Sequence, residues 1–178
     1  MMVTNRVEFV VAVHAISKVG AAAVLLSPAW KAVEVGHAVD LTGPVHAIAD
    51  GDAVALLTGA LGAARVIDLD DDAGRAGLLG GDRAPLPATG PAAAQIAEGD
   101  ESVLVFSSGT TGLPKAVRHT HASMGHATRH WCQVLGLGPD DRFQVATPPS
   151  HILGLLNLLA AAAAGATLPP HPPASRHI

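Results

Sequence analysis

In the first part of the chain, segments whose apolar residues are spaced as in a helix alternate with segments whose apolar residues are typical of a strand. A helix is predicted at about 8–21, with Gly20 in position to end it in a left-handed conformation. The apolar run 23–28 predicts a buried strand that ends in a turn, residues 29–39 a second helix, and 45–49 another strand. Because strand, helix and strand alternate, we expect an α/β fold, with βαβ units of a mostly parallel sheet and helices on both faces.

The apolar pattern is interrupted and then returns later in the chain. Residues 69–100 are rich in Asp, Gly, Ala and Pro, which predicts a surface excursion with at most a short helical piece. Residues 103–106 form a continuous apolar run, which is typical of a strand buried on both faces. The longest uncharged run, 152–168, is shorter than most membrane spans, so we predict a buried helix that stops at Gly165 and precedes a short strand.

Composition narrows the class of protein. A chain of 178 residues is long enough for one domain with its own core. A net charge of −4, without a basic patch, argues against nucleic-acid binding. Cys132 is the single cysteine and cannot form an internal disulfide, which suits a reducing compartment. Glu8, His14 and Lys18 interrupt the apolar N-terminal stretch, so we predict no secretory signal and a cytoplasmic location.

The loop after the strand at 103–106 carries the most informative chemistry. It consists of Ser107, Ser108, Gly109, Thr110, Thr111, Gly112, Leu113, Pro114 and Lys115. Glycines allow close backbone approach and hydroxyls donate hydrogen bonds, so the pattern is typical of phosphate binding; a surface turn without a ligand is the alternative. Pro114 disfavours a helical Leu113, so Lys115 is held at a fixed distance from the glycines. The spacing is not that of a Walker A loop, in which the lysine directly follows the last glycine.

Histidines cluster after this loop and raise the question of a metal site. His126 and His130 are four residues apart on one predicted helix face, and Cys132 is close in sequence. Since no acidic or cysteine partner stands at a recognisable spacing, a solvated helix face is favoured over zinc binding.

The residues 107–115, continued by Ala116 and Val117, resemble the phosphate-loop signature of the adenylate-forming enzymes, the superfamily of AMP-dependent ligases and acyl-CoA synthetases. Residues 5–50 and 146–155 also resemble this family, and His151 matches a histidine that begins a helix beside the acyl and adenylate pocket. Ala116 and Ser150 depart from the family pattern, where a glycine and, in many members, an aromatic residue are usual.

The resemblance implies an acid-thiol ligase, in which a carboxylic acid attacks the α-phosphate of ATP and a thiol, usually coenzyme A, then displaces AMP. The loop would bind the β- and γ-phosphates through Ser107, Ser108, Thr110, Thr111 and the amides of Gly109 and Gly112. Lys115 would offset the charge on departing pyrophosphate, Ser107 would contact Mg²⁺, and His151 would guide the carboxylate. Fatty acyl or aryl acids are the expectation from family frequency, while the particular acid, the acceptor thiol and the oligomeric state are not predicted.

Family members are several times longer, and their later adenine, ribose and catalytic-lysine motifs do not occur in these residues. We therefore expect residues 1–168 to be an incomplete part of the family's large N-terminal domain, inactive alone, and residues 169–178 to be a Pro-rich tail without resemblance to the family. The alternatives are a non-catalytic module that binds nucleotide or a partner chain, and a pseudogene product that does not fold.

Overall fold

The structure is a computed structural model, and it describes residues 1–80, 95–107 and 112–169. Its helices are α1 Val7–Lys18, α2 Ala32–Thr42, α3 Asp52–Leu61, α4 Asp72–Leu79, α5 His121–Leu135 and α6 Ile152–Ala164. Its strands are β1 Ala23–Leu25, β2 Ala47–Ala49, β3 Val66–Asp68, β4 Glu101–Ser107 and β5 Lys115–Thr120, with a short 3₁₀ turn at Ala63–Arg65.

Two sheets are joined by the first residues of the chain. β1 pairs with β4 in parallel and β4 with β5 in antiparallel orientation, while β2 pairs with β3 in parallel. Met1 accepts a hydrogen bond from the backbone N–H of Leu26 at 2.9 Å, and the N–H of Met2 donates to Ile48 at 3.0 Å. The segment 1–3 therefore lies between β1 and β2, and the prediction of a mostly parallel α/β arrangement is confirmed.

Two apolar clusters cover the opposite faces of this arrangement. One cluster contains Phe9 of α1, Leu25 of β1 and Leu155 of α6. The other contains Val35 of α2, with Val24 of β1 packed against it. Because Val24 and Leu25 are consecutive strand residues, their side chains point to opposite faces, and each face is covered by a different set of helices.

The bounds of α2 differ from the prediction by three residues at each end, since 29–39 was expected and Ala32–Thr42 is observed. The N–H of Trp30 donates to Ser27 at 3.0 Å, so the residues after Pro28 form a turn and not the first turn of the helix. The N–H of Lys31 then donates to the Glu34 carboxylate at 3.0 Å, so Glu34 caps the start of α2.

The segment expected as a surface excursion contains the short helix α4, and its residues 81–94 lie outside the described part of the chain. Leu69, at its start, is fully buried in the core, so packing continues beyond β3. The helix predicted up to Gly165 is confirmed as α6, which Gly165 ends at φ 71°. Where a short strand was predicted, the residues described up to 169 show one isolated bridge, from Thr167 to Arg142. Of the helices in the described residues, none combines the length and hydropathy needed to cross a bilayer.

Arg6, the residue before α1, ties this helix to the ends of β2 and β3. Its guanidinium donates to Glu8 at 3.0 Å and to Asp70 at 2.9 Å, and lies 3.4 Å from the buried carboxylate of Asp50. The hydrogen bond from Arg6 lowers the pKa of Glu8, and the three carboxylates together raise the pKa of Arg6. Arg6, Glu8, Asp50 and Asp70 are called the Arg6 cluster below.

Candidate functional site

The two ends of the predicted phosphate loop are fixed by one antiparallel ladder. Ser107, the last residue of β4, is paired with Lys115, the first residue of β5. Both residues are exposed, as is Gly112. The sequence-predicted residues Ser108, Gly109, Thr110 and Thr111 lie outside the described residues. The ladder therefore places the backbones of Ser107 and Lys115 opposite each other at the base of one loop.

The C-terminal end of the loop is tied to α2. Pro114 precedes β5, so Lys115 begins a strand and not a helix, as the proline predicted. The carbonyl oxygen of Pro114 lies 3.0 Å from Nε2 of His37, a half-buried residue of α2. This contact joins residues 77 positions apart in the chain.

A cleft of about 360 Å³ opens beside the loop. Trp30 and Phe106 form one wall, with their ring centroids 5.1 Å apart in an edge-to-face arrangement. The cleft also contains hydroxyl groups, which belong to Ser27, Ser107, Thr147 and Ser150. His151 lies at the same cleft, so the structure brings together Ser107 and His151, two residues predicted from distant parts of the sequence.

His151 is held in one orientation by the start of α6. It is the N-cap residue, and its Nδ1 accepts a hydrogen bond from the N–H of Leu153 at 3.2 Å. Because Nδ1 is an acceptor in this contact, the proton of the neutral ring is on Nε2. His151 is exposed and lines the cleft, and Nε2–H is the remaining donor of its ring.

Gly154 lets α6 approach the residues that line the cleft. A Cβ at this position would lie 2.1 Å from the carbonyl oxygen of Pro148 and 2.7 Å from that of Thr147. The N–H of His151 also donates to Pro148 at 3.0 Å. The segment 147–150 is therefore packed directly against the first turn of α6, which fixes the position of His151.

Sequence reasoning did not identify Ser27, Trp30 or His37 as part of this region. Trp30 carried a usable signal, because the chain has only two tryptophans and 3% aromatic residues. His37 carried none, since its contact depends on how α2 packs against a loop far along the chain.

His126 and His130 stand on one face of α5, with parallel rings whose centroids are 6.4 Å apart. Within residues 1–80, 95–107 and 112–169, no group of three or more His, Cys, Asp or Glu side chains is placed to bind a metal ion. Cys132 is half-buried and its thiol donates to the carbonyl of Ala160 at 3.3 Å, which packs α5 on α6.

Comparison with known proteins identifies the family. A family model described as "AMP-binding enzyme" matches residues 1–177, a span that includes most of the Pro-rich segment at 169–178. The chain belongs to this family of adenylate-forming ligases and synthetases.

The chain spans about a third or less of the length of two curated relatives that it matches. It is 33% identical over 163 residues to the phosphinothricin tripeptide synthetase PhsC of Streptomyces viridochromogenes, a match that covers 90% of the chain and 14% of PhsC. It is 27% identical over 176 residues to the long-chain-fatty-acid–CoA ligase FadD13 of Mycobacterium tuberculosis, covering 94% of the chain and 33% of that ligase.

A solved structure confirms the fold. The inhibitor-bound N-terminal domain of FACL13 from Mycobacterium tuberculosis superimposes with a TM-score of 0.80 at 26% identity, covering 96% of this chain and 43% of that one. The described fold is thus that of part of the N-terminal domain of an adenylate-forming enzyme, as expected from the sequence.

Proposed function

We propose that the chain is the phosphate-binding part of an acid-thiol ligase that activates a carboxylic acid with ATP. The observation that carries this proposal is the cleft in which Ser107, at the base of the loop, and His151, at the start of α6, face the same space. Membership of the AMP-binding family supports ATP as the substrate. The loop residues Ser108, Gly109, Thr110, Thr111 and Gly112 would supply the remaining phosphate contacts.

In this reaction a carboxylate oxygen attacks the α-phosphorus of ATP, and the bond from that phosphorus to the bridging oxygen breaks. The products are an acyl adenylate and pyrophosphate. Lys115 would stabilise the negative charge that develops on pyrophosphate. Its side chain leaves the backbone at the ladder position paired with Ser107, at the base of the loop. His151 would donate from Nε2 to the carboxylate or the phosphate that it approaches.

Magnesium fits the chemistry of this region through Ser107. A serine hydroxyl is an oxygen ligand of the kind that Mg²⁺ accepts, and Ser107 is exposed, which leaves room for the waters that this ion retains. When bound, the ion would offset phosphate charge.

The relatives differ in the reaction that their names give them. FadD13 is named as a long-chain-fatty-acid–CoA ligase, whereas PhsC is named as a peptide synthetase. Formation of the acyl adenylate is the step we propose in either case. A fatty acyl acid with coenzyme A as acceptor is our proposal for the complete reaction of the acyl-CoA synthetase type.

A non-catalytic nucleotide-binding module is the second candidate. The chain spans 14% of the length of PhsC and 33% of that of FadD13. Such a module would bind ATP without turnover.

Exchange of radioactive pyrophosphate into ATP, measured with a panel of carboxylic acids, tests both candidates. Acid-dependent exchange supports the ligase, and ATP binding without exchange supports the module. If a chain with a native circular dichroism spectrum shows no ATP binding and no exchange, both candidates are refuted. An unfolded chain is the outcome expected of the third alternative, a product that does not fold.

Lys115→Met is expected to lower exchange, or ATP affinity in a module, because it removes the only charge of the loop. Removal of one such group typically costs about 10²-fold in turnover. Lys18→Met is the matched control, since Lys18 is exposed at the end of α1. Equal losses in the two variants would contradict the role given to Lys115.

A further inference from the structure

The loop at 107–115 needs a fixed C-terminal end if it is to present Lys115 to a phosphate. Its N-terminal end continues β4, whose residues 102–105 are buried. Its C-terminal end passes through Pro114, which has no backbone N–H to donate to the ladder. The carbonyl of Pro114 is therefore the backbone group through which a neighbouring element can hold this residue.

His37 makes that contact. Its Nε2 lies 3.0 Å from the carbonyl oxygen of Pro114, and since a carbonyl only accepts, the imidazole donates from a protonated Nε2. The carbonyl belongs to the peptide group that links Pro114 to Lys115. Fixing the plane of this peptide, together with the pairing of Lys115 with Ser107, fixes the direction in which the Lys115 side chain leaves the backbone.

The helix that carries His37 is itself rigidly placed. Val35 and Ala38, on either side of His37, are 1% and 0% exposed in the apolar core. The hydrogen bond from the Lys31 N–H to the Glu34 carboxylate holds the start of α2, and Gly43 ends it in a left-handed conformation. His37 therefore extends toward the loop from a helix whose position is fixed by the core.

We propose that His37 is a positioning residue, which holds the C-terminal end of the phosphate loop through the Pro114 carbonyl and thereby sets the location of Lys115. This inference rests on the proposed function of the loop. It assigns a role to a residue outside the loop, on a different element and 77 positions away.

A matched pair of variants tests the hydrogen bond. His37→Gln keeps an N–H donor at a similar distance from the backbone, whereas His37→Leu keeps comparable bulk without a donor. Val33→Ala is the control on the same helix, because Val33 is 68% exposed. Dissociation constants of the 178-residue chain for ATP and for pyrophosphate are measured by calorimetry, together with the midpoint of thermal unfolding.

We expect His37→Leu to weaken binding of both ligands about 3- to 10-fold, as the loss of one neutral hydrogen bond allows. His37→Gln should restore most of the affinity, and Val33→Ala should leave it unchanged. Wild-type affinity in His37→Leu, or equal losses in the Leu and Gln variants, would overturn the proposal. If His37→Leu does not fold, His37→Ala takes its place in the comparison.

Amide hydrogen exchange of residues 112–117 in the ligand-free chain separates this proposal from the proposed function. His37→Leu should speed exchange there several-fold, while peptides from β2 and β3 keep the wild-type rate. If the wild-type chain binds neither ligand, the proposed function fails and the exchange result alone decides whether His37 holds the loop. Unchanged exchange at 112–117 would then overturn the positioning role.

Discussion

Because Gly154 has no side chain, the segment 147–150 that lines the cleft can lie close to α6. The Cβ of an alanine here would meet the Pro148 carbonyl oxygen at 2.1 Å, a separation that requires the backbone to move. Gly154→Ala is therefore expected to destabilise the fold by about 1–3 kcal/mol, the usual cost of overpacking. The free energy of unfolding from urea titration checks the prediction.

Gly59→Ala is the matched control for that substitution. Gly59 lies within α3, and an added Cβ would have no neighbour within 4 Å. An alanine there should stabilise the helix by about 0.5–1 kcal/mol, because glycine is the weaker helix former. Effects of the same sign in the two variants would show that the tight approach of α6 to Pro148 is absent.

At the scale of elements, the placement of α1 depends on charge. Arg6 lowers the pKa of Glu8 below its ordinary value of 4.5 by donating hydrogen bonds from two guanidinium nitrogens. A carboxyl group whose pKa is depressed in the folded state stabilises the fold above its unfolded pKa, and this contribution is lost as pH falls through the folded pKa. The Arg6 cluster should therefore contribute stability near neutral pH and lose it in acid.

Glu8→Gln is expected to lower the unfolding midpoint at pH 7, and the gap from the wild type should narrow as pH falls below about 4.5. Thermal unfolding followed by circular dichroism between pH 3 and pH 7 measures this gap. Asp40→Asn, an exposed substitution on α2, is the control. A difference in unfolding midpoint between Glu8→Gln and the wild type that stays constant over this range would contradict a stabilising ion pair between Arg6 and Glu8.

Several elements and their order were predictable from the sequence, but α3, β3 and β5 were not predicted, and neither were element ends or long-range contacts. The apolar runs at 103–106 and 152–168 predicted β4 and α6, because a buried element consists mostly of consecutive apolar residues. The start of α2 was misplaced, since the turn after Pro28 resembles a helical start in apolar spacing alone.

In the candidate site, too, some residues were predicted from nearby sequence, while others belong to the site through contacts between distant parts of the chain. Ser107, Lys115 and His151 were predicted from local motifs and the family resemblance. The contact of Trp30 with Phe106 depends on how the turn before α2 packs against β4, and the link from His37 to Pro114 depends on how α2 packs against the loop. The His37 contact arises from tertiary packing and leaves no local pattern, whereas Trp30 carried a signal as one of only two tryptophans.

At the scale of the whole molecule, the segment 1–3 connects the two sheets into one structure. Met2 is 1% exposed, donates its backbone N–H to Ile48 and forms a parallel bridge with Ala49. Met1 accepts from Leu26 beside β1. Packing on both sides of this segment should make the β1–β4–β5 sheet and the β2–β3 sheet unfold together.

Met2→Ala is expected to destabilise the chain by about 2–5 kcal/mol, the usual cost of removing a large buried side chain. Leu41→Ala is the control, because Leu41 is 55% exposed on α2 and its truncation should change the unfolding free energy by less than about 0.5 kcal/mol. Urea unfolding followed by both tryptophan fluorescence and circular dichroism makes the measurement. Coincident transitions in the wild type support cooperative unfolding, and separate transitions would contradict the connecting role of segment 1–3.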